Sequence, residues 1–168
     1  MKILKKFFLR LTVVFLALFL TVKGLTLMDR SWDIVPGGVG DIKTGSPLPL
    51  FVLGMKPDFF NGHTSEGIPY LGVKLGQLSI SLEHFIIVQG IVPGAKHRTA
   101  QGTGVGSTLA ELRKAHGELI IYRIPEPYMC AVSTAKLPDV YFEFKDCEAA
   151  EAGDGVLRVN IWQRITAY

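Results

Sequence analysis

Three kinds of hydrophobic patterning follow one another along the chain. An apolar run from Leu11 to Val22 is interrupted only by Thr12 and Thr21; from Val35 to Pro49 the apolar positions are scattered among glycines and prolines; beyond that they recur in short runs bounded by turn residues. Leu78, Ile80 and Leu82 alternate with Ser79, Ser81 and Glu83, which predicts a strand with one buried face. Further strands are predicted over Leu48 to Leu53, Ile68 to Leu75, Gln77 to Val88, Glu118 to Ile124, Val140 to Lys145 and Val156 to Gln163, with Leu157, Val159 and Ile161 as the inner set of the last. Alternation fails from Phe85 to Val88, which predicts burial on both faces there. The connections are too short for helical crossovers, so the sheet is expected to be antiparallel. One helix is predicted. Ser107 or Thr108 caps it, Glu111 completes a Thr-x-x-Glu capping box, Leu109 and Leu112 share its inner face and Gly117 ends it. The expected fold class is α+β: an N-terminal transmembrane helix followed by a small antiparallel-sheet domain with one short helix packed on it.

The first 28 residues carry the membrane expectation. Lys2, Lys5, Lys6 and Arg10 precede the apolar run and Lys23 follows it. An apolar core of about 12 residues suits a signal peptide, whereas a spanning helix wants about 20. If the flanks join, Phe7 to Met28 reaches about 33 Å as a helix, with Arg10 and Lys23 extended to the two interfaces. Signal peptidase requires small residues, and Val22-Lys23-Gly24 is a poor site. No Cys stands where a lipid would be attached. The expectation is an uncleaved anchor over 1–28, with a cleaved signal as the alternative. Basic residues ahead of the helix put the N-terminus in the cytoplasm and the body, residues 51–168, in the periplasm.

Charge changes the picture only when it is divided along the chain. The 168 residues carry a net +3, but all 15 acidic residues lie from Asp29 onward against 13 of the 18 basic ones, a balance of −2 for the body. A body without a basic stripe is not a nucleic-acid binder. Hydrophobic residues at 48% supply a core and exclude a disordered chain. Cys130 and Cys147, each beside a strand-like run, form either a disulfide closing a loop of about 17 residues or two buried thiols.

The segment His97 to Leu119, HRTAQGTGVGSTLAELRKAHGEL, is the most distinctive. It resembles a turn–helix motif of small exported bacterial domains of unknown function, in which Gly-Val-Gly-Ser-Thr leads into an Ala-Glu-Leu helix. The resemblance runs from about Ile80 to Ile161 and implies export, with no catalytic residues. Read physically, Gly102, Gly104, Gly106, Ser107 and Thr108 form a turn at a helix N-terminus where an anion or other ligand can meet backbone amides. The bland reading is a tight turn feeding a capped helix. Neither a Walker loop nor a dinucleotide fingerprint matches, and no nucleophile elbow surrounds Ser107. His63, His84, His97 and His116 lack metal-ligand spacing. No catalytic, metal or cofactor site is therefore expected.

Residues 29–50 read as an extended Pro/Gly-rich strap, too irregular for a core yet richer in apolar residues than a flexible linker. Trp32, Val35, Val39, Ile42, Leu48 and Leu50 are its expected partner contacts. Together these readings predict a non-enzymatic, membrane-anchored periplasmic accessory subunit of an inner-membrane complex, with a photosynthetic or respiratory assembly as host. The expected partners are the membrane and subunits of that complex. The alternative is a secreted domain that binds a small ligand or a protein.

Overall fold

The computed structural model describes Thr12 and residues 32–63, 67–124 and 129–162. Among the described residues eleven strands form two antiparallel sheets, and three short helices lie within 32–162. The expected α+β class is corrected accordingly: the fold is mostly β. Among the described residues no helix is long and apolar enough to cross a membrane. Over residues 32–162 the longest described α-helix has 8 residues, about 12 Å at 1.5 Å per residue, against a hydrocarbon core of about 30 Å. The transmembrane, signal-anchor and single-pass inner-membrane readings, with the topology that followed from them, are overturned by this finding and carried no further. The anchor segment 1–28 on which they stood lies outside the described residues apart from Thr12.

The Pro/Gly-rich stretch is not a strap outside the domain but its first sheet. Strands β1 (Ile34–Val35), β2 (Gly38–Val39) and β3 (Ile42–Lys43) pair in sequence order. Their connections are two residues each. Pro36 with left-handed Gly37 (φ 64°) makes the first, and Gly40 (φ 53°) with Asp41 the second, so the glycines and proline that argue against a long element are what allow a meander of two-residue strands. Ile34, Val39 and Ile42 are buried in the common core. The run read as a first strand, Leu48 to Leu53, forms instead a 3-10 helix over Leu50–Met55.

The large sheet contains β4 (Asp58–His63), β5 (Pro69–Leu75), β6 (Leu78–Glu83), β7 (Ile87–Val92), β8 (Ile120–Ile124), β9 (Met129–Thr134), β10 (Leu137–Phe144) and β11 (Arg158–Trp162). Its order is β4-β5-β6-β7-β11-β10-β9-β8, antiparallel throughout. Two meanders are thus joined by the last strand, which enters between β7 and β10. Register explains the core: Val73, Ile80, Ile91, Ile161 and Val140 lie opposite one another across five strands, and Val159, Phe142 and Val132 across three. All are fully buried, each worth about 1.5–3 kcal/mol relative to exposure.

Helix α1 (Leu109–His116) begins at the expected capping box, with Thr108 Oγ1 accepting from the Glu111 amide and the Glu111 carboxylate accepting from the Thr108 amide. Leu109 and Leu112 enter the core. A second helix, α2 (Cys147–Ala152), is capped by Asp146 and closed by left-handed Gly153; the sequence signal was the Asp cap, an Ala/Glu run and the closing Gly. Cys130 on β9 and Cys147 at the start of α2 are disulfide-bonded, with Cα atoms 4.9 Å apart. The 17-residue separation makes this bond worth roughly 3 kcal/mol in the chain-entropy estimate.

Candidate functional site

The glycine-rich turn before α1 has every amide of the candidate ligand site in use. Gly102 N–H donates to Thr99 O (2.8 Å), Gly106 to Val156 O (2.7 Å) and Ser107 to Gly104 O (3.0 Å). Gly104 donates to Ser107 Oγ (3.1 Å) and Thr108 to Glu111 Oε2 (2.8 Å). An anion at this turn would have to displace these bonds, and each displaced group would lose a partner. One nearby cation is tied to the turn itself, since Arg98 Nη1 donates to Val105 O at 2.7 Å. At Gly104 an added Cβ would stand 2.7 Å from His97 O, so the glycine is required by close backbone packing. The structure thus brings Gly102, Gly104, Gly106, Ser107 and Thr108 together as a self-satisfied turn.

A buried relay ties that turn to the far end of α1. Thr99 Oγ1 lies 2.8 Å from Thr103 Oγ1, which lies 2.7 Å from His116 Nε2. His116 is buried and stacks on Phe142 of β10. Burial, helped by the positive charge of Lys136, holds its pKa below the ordinary imidazole value near 6.5, so at neutral pH it is an uncharged hydrogen-bonding group. Enclosed in this way, threonine, threonine and histidine position the turn. The motif's Thr99, Thr103 and His116 are separated by four and thirteen residues, and only the tertiary fold shows that they meet.

The residues expected to grip a partner from the strap divide sharply. Val39 and Ile42 are fully buried within this chain, and Trp32 and Leu48 pack against the same core. The Trp32 carbonyl lies 3.1 Å from His97 Nδ1 and the two rings meet edge to face. Val35 is half-buried. Trp32, Val39, Ile42 and Leu48 are corrected to intramolecular contacts, and hairpin formation is what turns Val39 and Ile42 onto the domain itself. Leu50 alone is left outward, 80% exposed.

Leu50 follows a segment that is fastened to the β6–β7 turn. Leu48 N–H donates to Ile86 O and Val88 N–H to Ser46 O, so the strap's end is fastened to the β6–β7 turn. That turn replaces the first half of the doubly buried run expected over Phe85 to Val88, while Ile87 and fully buried Val88 begin β7. His84 (φ 50°) and Phe85 (φ 65°) both take left-handed backbone, Phe85 is 75% exposed and Ile86 59%. Alternation failed in the sequence because the chain reverses there. Beside the turn runs an open groove of about 740 Å³, lined by Ile68, Tyr70, Leu71, Leu82 and Phe85 with His63 and Glu83 among its polar members. A bulky aromatic residue at positive φ is an outlier, retained where the surroundings over-determine it and often where a ligand or partner is engaged.

Among the described residues no group of three or more His, Cys, Asp or Glu side chains is placed to hold a metal ion. Glu143, buried on β10, is consumed by Arg158 (Nη2 at 2.7 Å, Nε at 2.8 Å) and by Asn160. Comparison with protein-family models, curated proteins and solved structures finds no match to this chain.

Proposed function

We propose that this chain is a non-enzymatic accessory domain that binds a protein partner through the β6–β7 end of its large sheet, where Phe85 and Ile86 are exposed on the turn to which the segment leading to exposed Leu50 is fastened. The observation that carries this is Phe85, an aromatic residue in left-handed backbone with three quarters of its surface exposed. Burying the exposed side chains of Leu50, Phe85 and Ile86 in an interface is worth on the order of 1.5–3 kcal/mol each, and side chains of this kind form the centre of binding surfaces. The Cys130–Cys147 bond supports folding in a compartment oxidising enough to make it. The polar atoms of the glycine turn are spent on the fold, which favours the β6–β7 end over the turn as the binding element.

The test is site-specific photocrosslinking in cells of the source organism, with a benzophenone amino acid at position 85 and, as control, at exposed Leu157. The expected result is a discrete protein adduct from 85 and none from 157. The Phe85→Ser/Ile86→Ser variant should fold normally and lose its co-purifying partner. Equal labelling from both positions, or no adduct from 85, would overturn the reading.

A further inference from the structure

At the opposite end of β6 from Phe85, four segments far apart in the chain meet around an open groove of about 480 Å³. Trp32 reaches it from just before β1, Met55 from the end of the 3-10 helix, Leu75 and Gln77 from the β5–β6 turn, and Lys96 and His97 from the loop after β7. Small-molecule sites span roughly 300–1,000 Å³. The walls are fastened to one another through the backbone: Ile34 N–H donates to Arg98 O at 2.7 Å, His97 N–H to Gly94 O at 3.0 Å and Lys96 N–H to Gln77 Oε1 at 3.3 Å. An ideal Cβ at Gly94 would lie 2.7 Å from Gln77 O, so glycine is what lets the loop approach the β5–β6 turn this closely.

The groups that line the groove define what it can hold. His97 Nδ1 lies 3.1 Å from the Trp32 carbonyl, and a carbonyl only accepts, so Nδ1 carries the proton and Nε2 of the neutral ring is left as an acceptor. Among the described residues Nε2 has no hydrogen-bond partner. Lys96 is exposed and makes no ion pair among the described residues, and no carboxylate lines the groove. A cation without a competing acid selects an anion. Trp32, Met55 and Leu75 add apolar surface beside it, which suits a rigid ring better than a flexible chain, because the chain loses more rotamer freedom on binding.

We propose that this groove binds a small hydroxyaryl carboxylate, with its ring against Trp32, Met55 and Leu75, its carboxylate at Lys96 Nζ and its hydroxyl donating to His97 Nε2. Each of the three ligand features answers one feature of the groove. The six residues of β6 separate this groove from the Phe85 turn by about 20 Å at 3.4 Å per residue. The proposal therefore stands independently of the protein partner proposed above.

The test is an NMR titration of the full isotope-labelled chain with 4-hydroxybenzoate, read from the indole N–H signals of its two tryptophans. Trp32 lines the groove, and Trp162 on β11 is the internal control. The Trp32 signal should shift saturably at millimolar concentration or below, while that of Trp162 stays in place. Methyl 4-hydroxybenzoate lacks the charge and benzoate lacks the donor; each should bind about tenfold more weakly. Lys96→Gln should bring the acid down to the affinity of its ester and leave the ester unchanged. His97→Asn keeps a donor near the Nδ1 position for the Trp32 carbonyl but removes Nε2, so it should bind the hydroxy acid no better than benzoate. In both variants an unchanged Trp162 signal before titration reports an intact fold. No saturable shift of Trp32, parallel shifts of both indole signals, or unchanged affinity in either variant would each overturn the proposal.

Discussion

The glycine turn at 97–108 and the β6–β7 turn at 83–87 both bend the chain through left-handed backbone, and they do so with opposite chemistry. In the first, the positive φ values fall on Gly102 and Gly106; in the second, on His84 and Phe85. The first turns its donors and hydroxyls inward, each matched to an acceptor or donor of the same chain. The second turns an aromatic ring outward into solvent. A glycine-rich turn draws attention in a sequence because glycine often clears space for a ligand, yet here the space is filled by the chain's own carbonyls. The turn without glycine passes unnoticed, although left-handed backbone costs a bulky residue roughly 1–2 kcal/mol. Conformational cost is informative about function where the residue bearing it has a side chain to present.

Substitutions can break this contrast in graded steps. Gly104→Ala should be the most damaging, about 3 kcal/mol, because the new methyl must displace a backbone carbonyl now 2.7 Å from its ideal position; urea titration measures it, and an unchanged midpoint would show the turn to be compliant. Thr103→Val should cost about 2 kcal/mol by leaving Thr99 and His116 short of a buried partner, read from the shift in melting temperature.

The same relay predicts a pH dependence. The native pKa of His116 is depressed by burial, so between that value and about 6.5 the unfolded chain binds more protons than the folded one. Stability should therefore be fully present above about pH 6.5 and fall as the pH drops below it, until the native pKa is passed. His116→Phe should remove this dependence, and a slope persisting in that variant would assign it to other groups.

Smaller effects sharpen the comparison. Thr108→Ala, which removes the helix cap but leaves the turn's core bonds, should cost about 1 kcal/mol. At the other turn the sign should reverse: Phe85→Asn relieves unfavourable backbone and should stabilise the domain by about 0.5–1 kcal/mol while abolishing the crosslink expected from this surface. Destabilisation by Phe85→Asn would mean that the ring supports the fold, and the turn would lose its claim as a binding element.

Much of this architecture was legible in the order of residues. Alternation in Leu78–Glu83, the capping box at Thr108 and Glu111, and the antiparallel links are local properties, set by neighbours two to four residues away. Cys130 and Cys147 could be matched as candidates for the same reason, each being next to a strand-like run. Other features depended on what a segment met at a distance. Val39 and Ile42 look like partner contacts until the hairpins formed at Gly37 and Gly40 fold them under their own sheet. Leu48 to Leu53 alternates too weakly to choose between strand and 3-10 helix, and packing of Phe51 and Val52 into the core decides it. The apolar character of residues 7–28 was plain, but hydropathy describes an affinity for apolar surroundings and leaves open what supplies them.

By itself, then, the sequence determined the wet-faced strand Leu78–Glu83, the capped helix and a core rich in β-branched residues, because periodicity and capping are short-range constraints that few alternatives satisfy; in the last strand exposed Leu157 falls outside the expected inner set and Asn160 is buried with Val159 and Ile161. Only the tertiary structure decided that the last strand enters the middle of the sheet, that Thr99, Thr103 and His116 close on one another, and that Phe85 points outward while the glycine turn closes inward. Those outcomes depend on register and on pairs of residues far apart in the chain. Their free energies are collected only when the whole sheet is assembled.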